Sequence, residues 1–154
     1  MIKNKTDLIA YCGLYCGECF NFTGTIADLA RDLRKELRNY RFDKTADALS
    51  EIPFFKDFED YEICYKVLGA MVKLRCRKSC RDGGGNPYCK IRSCCVKKGY
   101  DGCWECDDFL TCDKLSLLKA NHGDAHLQNM KIIKKKGKDE FLKGKKHWYI
   151  KPKE

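Results

Sequence analysis

The chain lacks an apolar run approaching the roughly 18 residues of a membrane span. Its opening stretch, M-I-K-N-K-T-D-L-I-A-Y, has no apolar segment of signal-peptide length and no small-residue cleavage site. We therefore expect a cytoplasmic protein without a membrane partner. Tandem repeats and low-complexity linkers are missing, strand signals are sparse, and 154 residues suit one domain. Asp, Glu and Ser form no pattern that singles out an acid–base pair or a catalytic triad, so the sequence leans away from an enzyme. Branched aliphatics are scarce between residues 75 and 113, where Cys, Gly and charge replace them. A region that buries so little apolar surface needs a staple, either a disulfide or a metal.

Twelve cysteines are present. A reducing compartment keeps thiols unpaired, so clustered cysteines there point to metal or catalysis rather than to bridges. Cys12, Cys16 and Cys19 form C-x3-C-x2-C. Cys76, Cys80, Cys89, Cys94, Cys95, Cys103, Cys106 and Cys112 follow within 37 residues. Two thiolates on a tetrahedral zinc lie about 2.3 Å from it and so about 3.8 Å from each other. A C-x2-C turn reaches that scale at Cys16/Cys19 and Cys103/Cys106. A C-x3-C pair reaches it from one helical face, the expectation for Cys12/Cys16 and Cys76/Cys80. Adjacent Cys94 and Cys95 are not expected to serve one ion alike: one is a ligand, the other a core residue. Cys64 reads as a small buried apolar side chain.

Other thiol chemistries fit less well. C-x3-C-x2-C is also the cluster signature of radical enzymes that use S-adenosylmethionine, but their full barrel needs about 200 residues or more of alternating strand and helix. The ferredoxin run C-x2-C-x2-C-x3-C-P is absent; a [4Fe-4S] cluster with scattered ligands stays open as the alternative to zinc, with electron transfer or redox sensing as its role. C-W-E-C at 103–106 has the form of a redox pair but lacks the βαβ context. R-D-G-G-G-N lacks the Lys and Ser/Thr of a phosphate loop and reads as a flexible connector between Cys80 and Cys89.

Periodicity predicts helices over Thr25–Tyr40, Asp43–Ser50 and Pro53–Lys73. A helix capped by Asn86 with Pro87 in its first turn should end at Gly99. Further helices are expected over Lys114–Asn121 and Asp124–Lys136, the latter closed by Gly137, with a last turn at Asp139–Lys143. The fold class is mainly α: a small single domain, 1–154, of short helices with Cys-rich loops organised by metal in the manner of zinc knuckles. Within it, 10–115 is the Cys-rich region and 116–154 a Lys-rich helical extension.

C-G-L-Y-C-G-E-C, the C-x3-C pair, C-K-I-R-S-C with K-K-G, and C-W-E-C-D-D-F-x2-C, in that order over about residues 10 to 115, resemble the small cysteine-rich bacterial and archaeal proteins known as domain of unknown function 3795. The resemblance implies zinc binding and no known activity. It carries Cys12, Cys16, Cys19, Cys76, Cys80, Cys89, Cys94, Cys103, Cys106 and Cys112 over as ligands. Cys64 and Cys95 depart from the pattern. Ten thiols do not divide by four, so two zinc sites leave a remainder, and a third would need Cys95, a histidine or an open position. His122 and His126 have i, i+4 spacing and stand as secondary candidates with Cys95; their simpler reading is as solvated or capping groups around Gly123 and Asp124.

The net charge of +9 is uneven: residues 131–154 hold ten Lys against three acids. Eight thiolates on two zinc ions would reduce the total to about +5. The tail, with His147, Trp148 and Tyr149, offers cations and rings to a nucleic-acid or protein partner. Ile132, Ile133, Phe141, Leu142, Trp148 and Ile150 instead suggest packing on the core beneath a solvated lysine face.

Overall fold

A computed structural model describes residues 4–148; Tyr149 and Ile150 lie outside the described residues. The protein is mainly helical, and among the described residues there is no strand, only one isolated antiparallel bridge between Ile9 and Tyr15. No helix among them is long and apolar enough to cross a membrane. The chain divides into two compact units, one of residues 1–22 with 77–154 and the other of 23–76.

The 23–76 unit contains the helices Thr25–Asn39, Phe42–Ser50 and Tyr61–Val72. The first two follow the predicted periodicity within a residue. The expected continuous helix from Pro53 is split. Pro53–Asp60 is a 3₁₀ segment with Phe55 off helical geometry (φ −111°, ψ 18°), and the α-helix starts at Tyr61. Phe42 stacks edge-on to Phe58 at 5.6 Å and tilted on Tyr61 at 5.6 Å, so the rings pack without a continuous helix beneath them. Fully buried residues here are small: Ala27, Ala30 and Ala46. Cys64, expected inside, is exposed, because the helix turns Tyr61, Tyr65 and Leu68 inward and leaves position 64 on the flank of that stripe.

The other unit holds the core. Ile9, Ile91, Trp104, Phe109, Leu115, Met130, Ile133 and Phe141 form one buried cluster, with Cys12, Cys89, Cys103, Cys106 and Cys112 packed on it. The helix expected from Asn86 starts at Lys90, with Cys89 at its N-cap. Asn86 instead closes a turn, its Oδ1 accepting from the Tyr88 N–H at 2.9 Å. Gly99, at φ +68°, ends that helix as expected. Lys114–Asn121 is a 3₁₀ run, Asp113–Leu118, followed by one α-turn, Lys119–His122. The two predicted C-terminal elements are both present within Ala125–Lys143: the first helix is interrupted at Gly137, whose φ 83° and ψ 168° are not helical, and a short second helix runs on to Lys143. Met130 and Ile133 before the break and Phe141 after it are all buried, so both helices pack on the core.

The N-terminal loop sits against this last helix. Ala10 N–H donates to Leu14 O at 2.8 Å and Gly13 N–H to Ala10 O at 2.9 Å. Gly13 has φ +82°, and a Cβ there would stand 2.5 Å from Met130 Cγ and 3.1 Å from His126 O. A left-handed L-residue costs about 1–2 kcal/mol before any clash. Gly13→Ala is therefore expected to lower thermal stability by about 2 kcal/mol or more, measured by denaturant unfolding, whereas Gly99→Ala, with open space around it, should cost only the left-handed strain.

Candidate functional site

The two C-x2-C motifs share one local structure. Cys16–Glu18 and Cys103–Glu105 are single 3₁₀ turns, and Cys19 and Cys106 follow in extended conformation (φ −78°, ψ 121°; φ −82°, ψ 136°). In each, the second cysteine N–H donates to the carbonyl of the first at 3.0 Å. The loops are joined by Cys103 N–H donating to Tyr11 O at 2.8 Å. Neither C-x3-C pair lies on a helical face. Cys12 sits in a turn before the 3₁₀ segment, and residues 76–80 are irregular. The predicted i, i+4 geometry is thus overturned for both pairs.

Cys12 is crowded by thiols from three parts of the sequence. Burial pushes it up to about 12, and the nearby Cys80, Cys16 and Cys89 add to that, while a hydrogen bond from the Leu14 main chain opposes it. Cys80 is also raised, first by burial and then by Cys89; the Tyr11 main chain and the Arg92 guanidinium pull it back. Cys12, Cys16, Cys80 and Cys89 therefore form one neighbourhood. Cys19 lines a cavity of about 510 Å³ with Asn21, His122 and Trp148.

A second neighbourhood surrounds a cavity of about 30 Å³ lined by Cys94, Cys95, Cys103, Cys106 and Cys112, with Lys98 and Lys114 at its edge. Cys95 and Cys103 are 3.5 Å apart, sulfur to sulfur. Cys95 is lowered, first by the hydrogen bond from Cys103 and then helped by Arg81 and Lys98. Cys103 is raised by the same bond, by burial, and by Cys95, Cys12 and Cys112. Lys98 is raised by Cys106, Tyr100 and Cys94. Cys76 ends the other unit, half-buried. None of the cysteines is disulfide-bonded. Among the described residues, no three or more His, Cys, Asp or Glu side chains form a group set to hold a metal ion.

The sequence reading missed two arginines. Arg81 Nε donates to Ile9 O at 2.8 Å, its Nη groups donate to Asp101 Oδ1 at 2.9 Å and Asp101 O at 2.8 Å, and its guanidinium lies over Tyr11 at 4.9 Å. Lys138 completes the cluster on Asp101 at 2.6 Å. Arg92 donates to the carbonyls of Gly84 and Asn86, each at 2.8 Å. The glycine loop therefore points carbonyls at a cation, the reverse of a phosphate cradle. An arginine inside a Cys-rich, aliphatic-poor stretch was the available signal.

The histidines differ from one another. His122 Nδ1 is 2.6 Å from Trp148 O. His147 is bound through its main chain by the buried Asn129, which donates to its O at 2.7 Å and accepts from its N–H at 2.9 Å. His126, expected to be solvated or capping, is fully buried with no hydrogen-bond partner of good geometry on either ring nitrogen, and burial lowers it. The Lys-rich helix spends part of its charge internally, on Asp107 from Lys134 and on Asp101 from Lys138.

Fold and site together define a small helical protein with five of its cysteines packed on one core. The chain belongs to the family described as Protein of unknown function (DUF3795), which matches residues 8–117. Comparison with curated proteins and with solved structures gives no match.

The sign of the pH dependence separates two states of these thiols. Cys12 is held near 12 against an ordinary 9.0, so the unfolded chain loses this proton first. Metal-free reduced protein should be stable below about pH 9 and lose stability as pH climbs from 9 towards 12. Thiolates held by a cation reverse this, and stability is then lost on acidification. Unfolding free energies across a pH series, with and without chelator, would read the difference.

Proposed function

We propose that the protein binds zinc through cysteine thiolates in the cytoplasm and acts as a binding or regulatory module organised by that metal. The observation that carries this reading is the convergence of Cys12, Cys16, Cys80 and Cys89, distant in sequence, into one thiol neighbourhood. The second set is Cys103, Cys106 and Cys112 with Cys94 or Cys95. Donor chemistry fits: four thiols suit tetrahedral zinc, and the Cys95–Cys103 separation of 3.5 Å is close to the roughly 3.8 Å of two thiolates on one ion. A bound cation would stabilise the thiolates that burial now disfavours.

Structural zinc contributes about 10–16 kcal/mol of apparent binding energy against a typical net stability of about 5–15 kcal/mol. Anaerobically purified protein is therefore expected to be colourless, to hold two zinc ions per chain by elemental analysis, and to lose helicity on strong chelation. Absorbance near 400 nm with iron and sulfide would replace zinc by a cluster. Metal-free protein with an unchanged melting temperature would end the structural-metal reading.

A further inference from the structure

Within the 23–76 unit, the helices Thr25–Asn39 and Tyr61–Val72 pack against each other with two arginines between them. Arg34 and Arg38 are four residues apart and so share one helical face. Both converge on Tyr65. The Arg34 guanidinium lies over its ring at 4.4 Å, and Arg38 Nη1 donates to its oxygen at 3.1 Å. Gly69 leaves the room that Arg34 fills: a Cβ there would stand 2.7 Å from Arg34 Nη1. The Arg34 Nε is buried without a hydrogen-bond partner. Among the described residues, no carboxylate forms an ion pair with Arg34 or Arg38. Two guanidiniums are thus held against one phenol with nothing to neutralise them. Tyr65 is lowered from its ordinary value as a result, first by the hydrogen bond from Arg38 and then by Arg34.

A cavity of about 490 Å³ opens beside this phenol, a size that suits a small-molecule ligand. Leu37, Tyr61 and Tyr65 form its apolar and aromatic wall. Three cations and two carboxylates also line it, and each carboxylate already has its cation. Asp43 accepts from Arg41 twice, from Nε at 3.1 Å and from Nη2 at 3.0 Å. Glu62 pairs more loosely with Lys66, at 3.6 Å. Arg38 is the cation left over. Because Arg38 donates to the Tyr65 oxygen, the phenol keeps its own O–H to donate. Arg38 and Tyr65 therefore offer two donors to one anion, at the edge of an aromatic wall.

We propose that this cavity binds a small aromatic monocarboxylate, its carboxylate held by Arg38 and the Tyr65 hydroxyl and its ring set against Leu37 and Tyr61. A single negative charge matches the single uncompensated cation, whereas a phosphate dianion would leave the site negative. The planar guanidinium fork also matches carboxylate geometry. No cysteine lines the cavity, so this site does not rest on the zinc reading.

Titration of the full chain with 2-naphthoate, as purified and under reducing conditions, tests this by calorimetry and by amide NMR shifts. Saturable binding with a Kd of about 0.1 to 1 mM is expected, with shifts concentrated at residues 37–43 and 61–66. 2-Naphthylmethanol keeps the rings without the charge, and acetate keeps the charge without the rings. Each should bind at least about tenfold more weakly. Arg38→Gln, at an exposed position, should leave far-UV circular dichroism unchanged and weaken naphthoate about tenfold. It should not alter the shifts caused by naphthylmethanol, which a merely structural role for Arg38 would change. Tyr65→Phe keeps the ring and should weaken naphthoate about threefold. Lys44→Gln removes a nearby cation outside the cavity and should leave binding as it was. Titration without saturation by about 10 mM, naphthylmethanol or acetate binding as tightly as naphthoate, or Arg38→Gln binding like the wild type would each overturn the proposal. So would shifts confined to the cysteine loops, which would place the carboxylate on a metal instead. Tighter binding of 1-naphthyl phosphate than of naphthoate would overturn the choice of a monocarboxylate.

Discussion

A buried thiol resists ionisation, and this constraint governs the larger unit. Each sulfur placed near Cys12 makes the next charge harder to hold, which is why Cys12 stands near 12 and Cys103 is driven up as well. The protein answers with dipoles and cations. Main-chain hydrogen bonds from Leu14 and Tyr11 reach Cys12 and Cys80; Arg92 reaches Cys80 and Arg81 reaches Cys95. These groups temper the repulsion between thiolates without cancelling it. That imbalance is what a bound cation would relieve.

Holding so many thiols in place requires rigid loops, and long helices cannot supply them. The structure uses single 3₁₀ turns at Cys16 and Cys103, an isolated bridge, and an arginine that bonds to loops far apart in sequence. Arg81 satisfies Ile9 O and Asp101 at once, so polar groups that the loops leave unpaired find donors. Beneath them, the two helices within Ala125–Lys143 provide a platform through Met130, Ile133 and Phe141. The close approach of Gly13 to that helix fixes where the first cysteine loop lies.

What the sequence made legible follows from range. Local regularity was readable: the 3.6-residue period set Thr25–Asn39 almost to the residue, and Gly99 ended its helix as a left-handed cap should. Family membership was readable because the order of cysteine motifs is itself local information. Where long-range packing decides, the reading failed. His126 looked solvated, but the helix turns it into the interior. The grouping of Cys12 and Cys16 with Cys80 and Cys89 could not be read from spacing, because spacing pairs only near neighbours. The arginines that bind the loops were hidden for a related reason: their partners are backbone carbonyls, which leave no mark on composition.

That grouping also explains how a helical unit can sit between the thiols. Cys16 and Cys80 are separated by 63 residues. Closing such a loop costs about 4 kcal/mol in chain entropy, and doubling its length would add only about 0.6 kcal/mol. Once the ends are fixed by the core and by Arg81, the inserted length is almost free. The 23–76 unit therefore need not contribute to the thiol neighbourhoods to be kept. Its own interior is poor, with alanines as its fully buried residues and large side chains such as Leu29, Phe54 and Ile63 left exposed. A segment that costs little to insert is suited to carry a site of its own. Chain entropy thus leaves the thiol-bearing unit and the inserted helices free to answer to different selective demands.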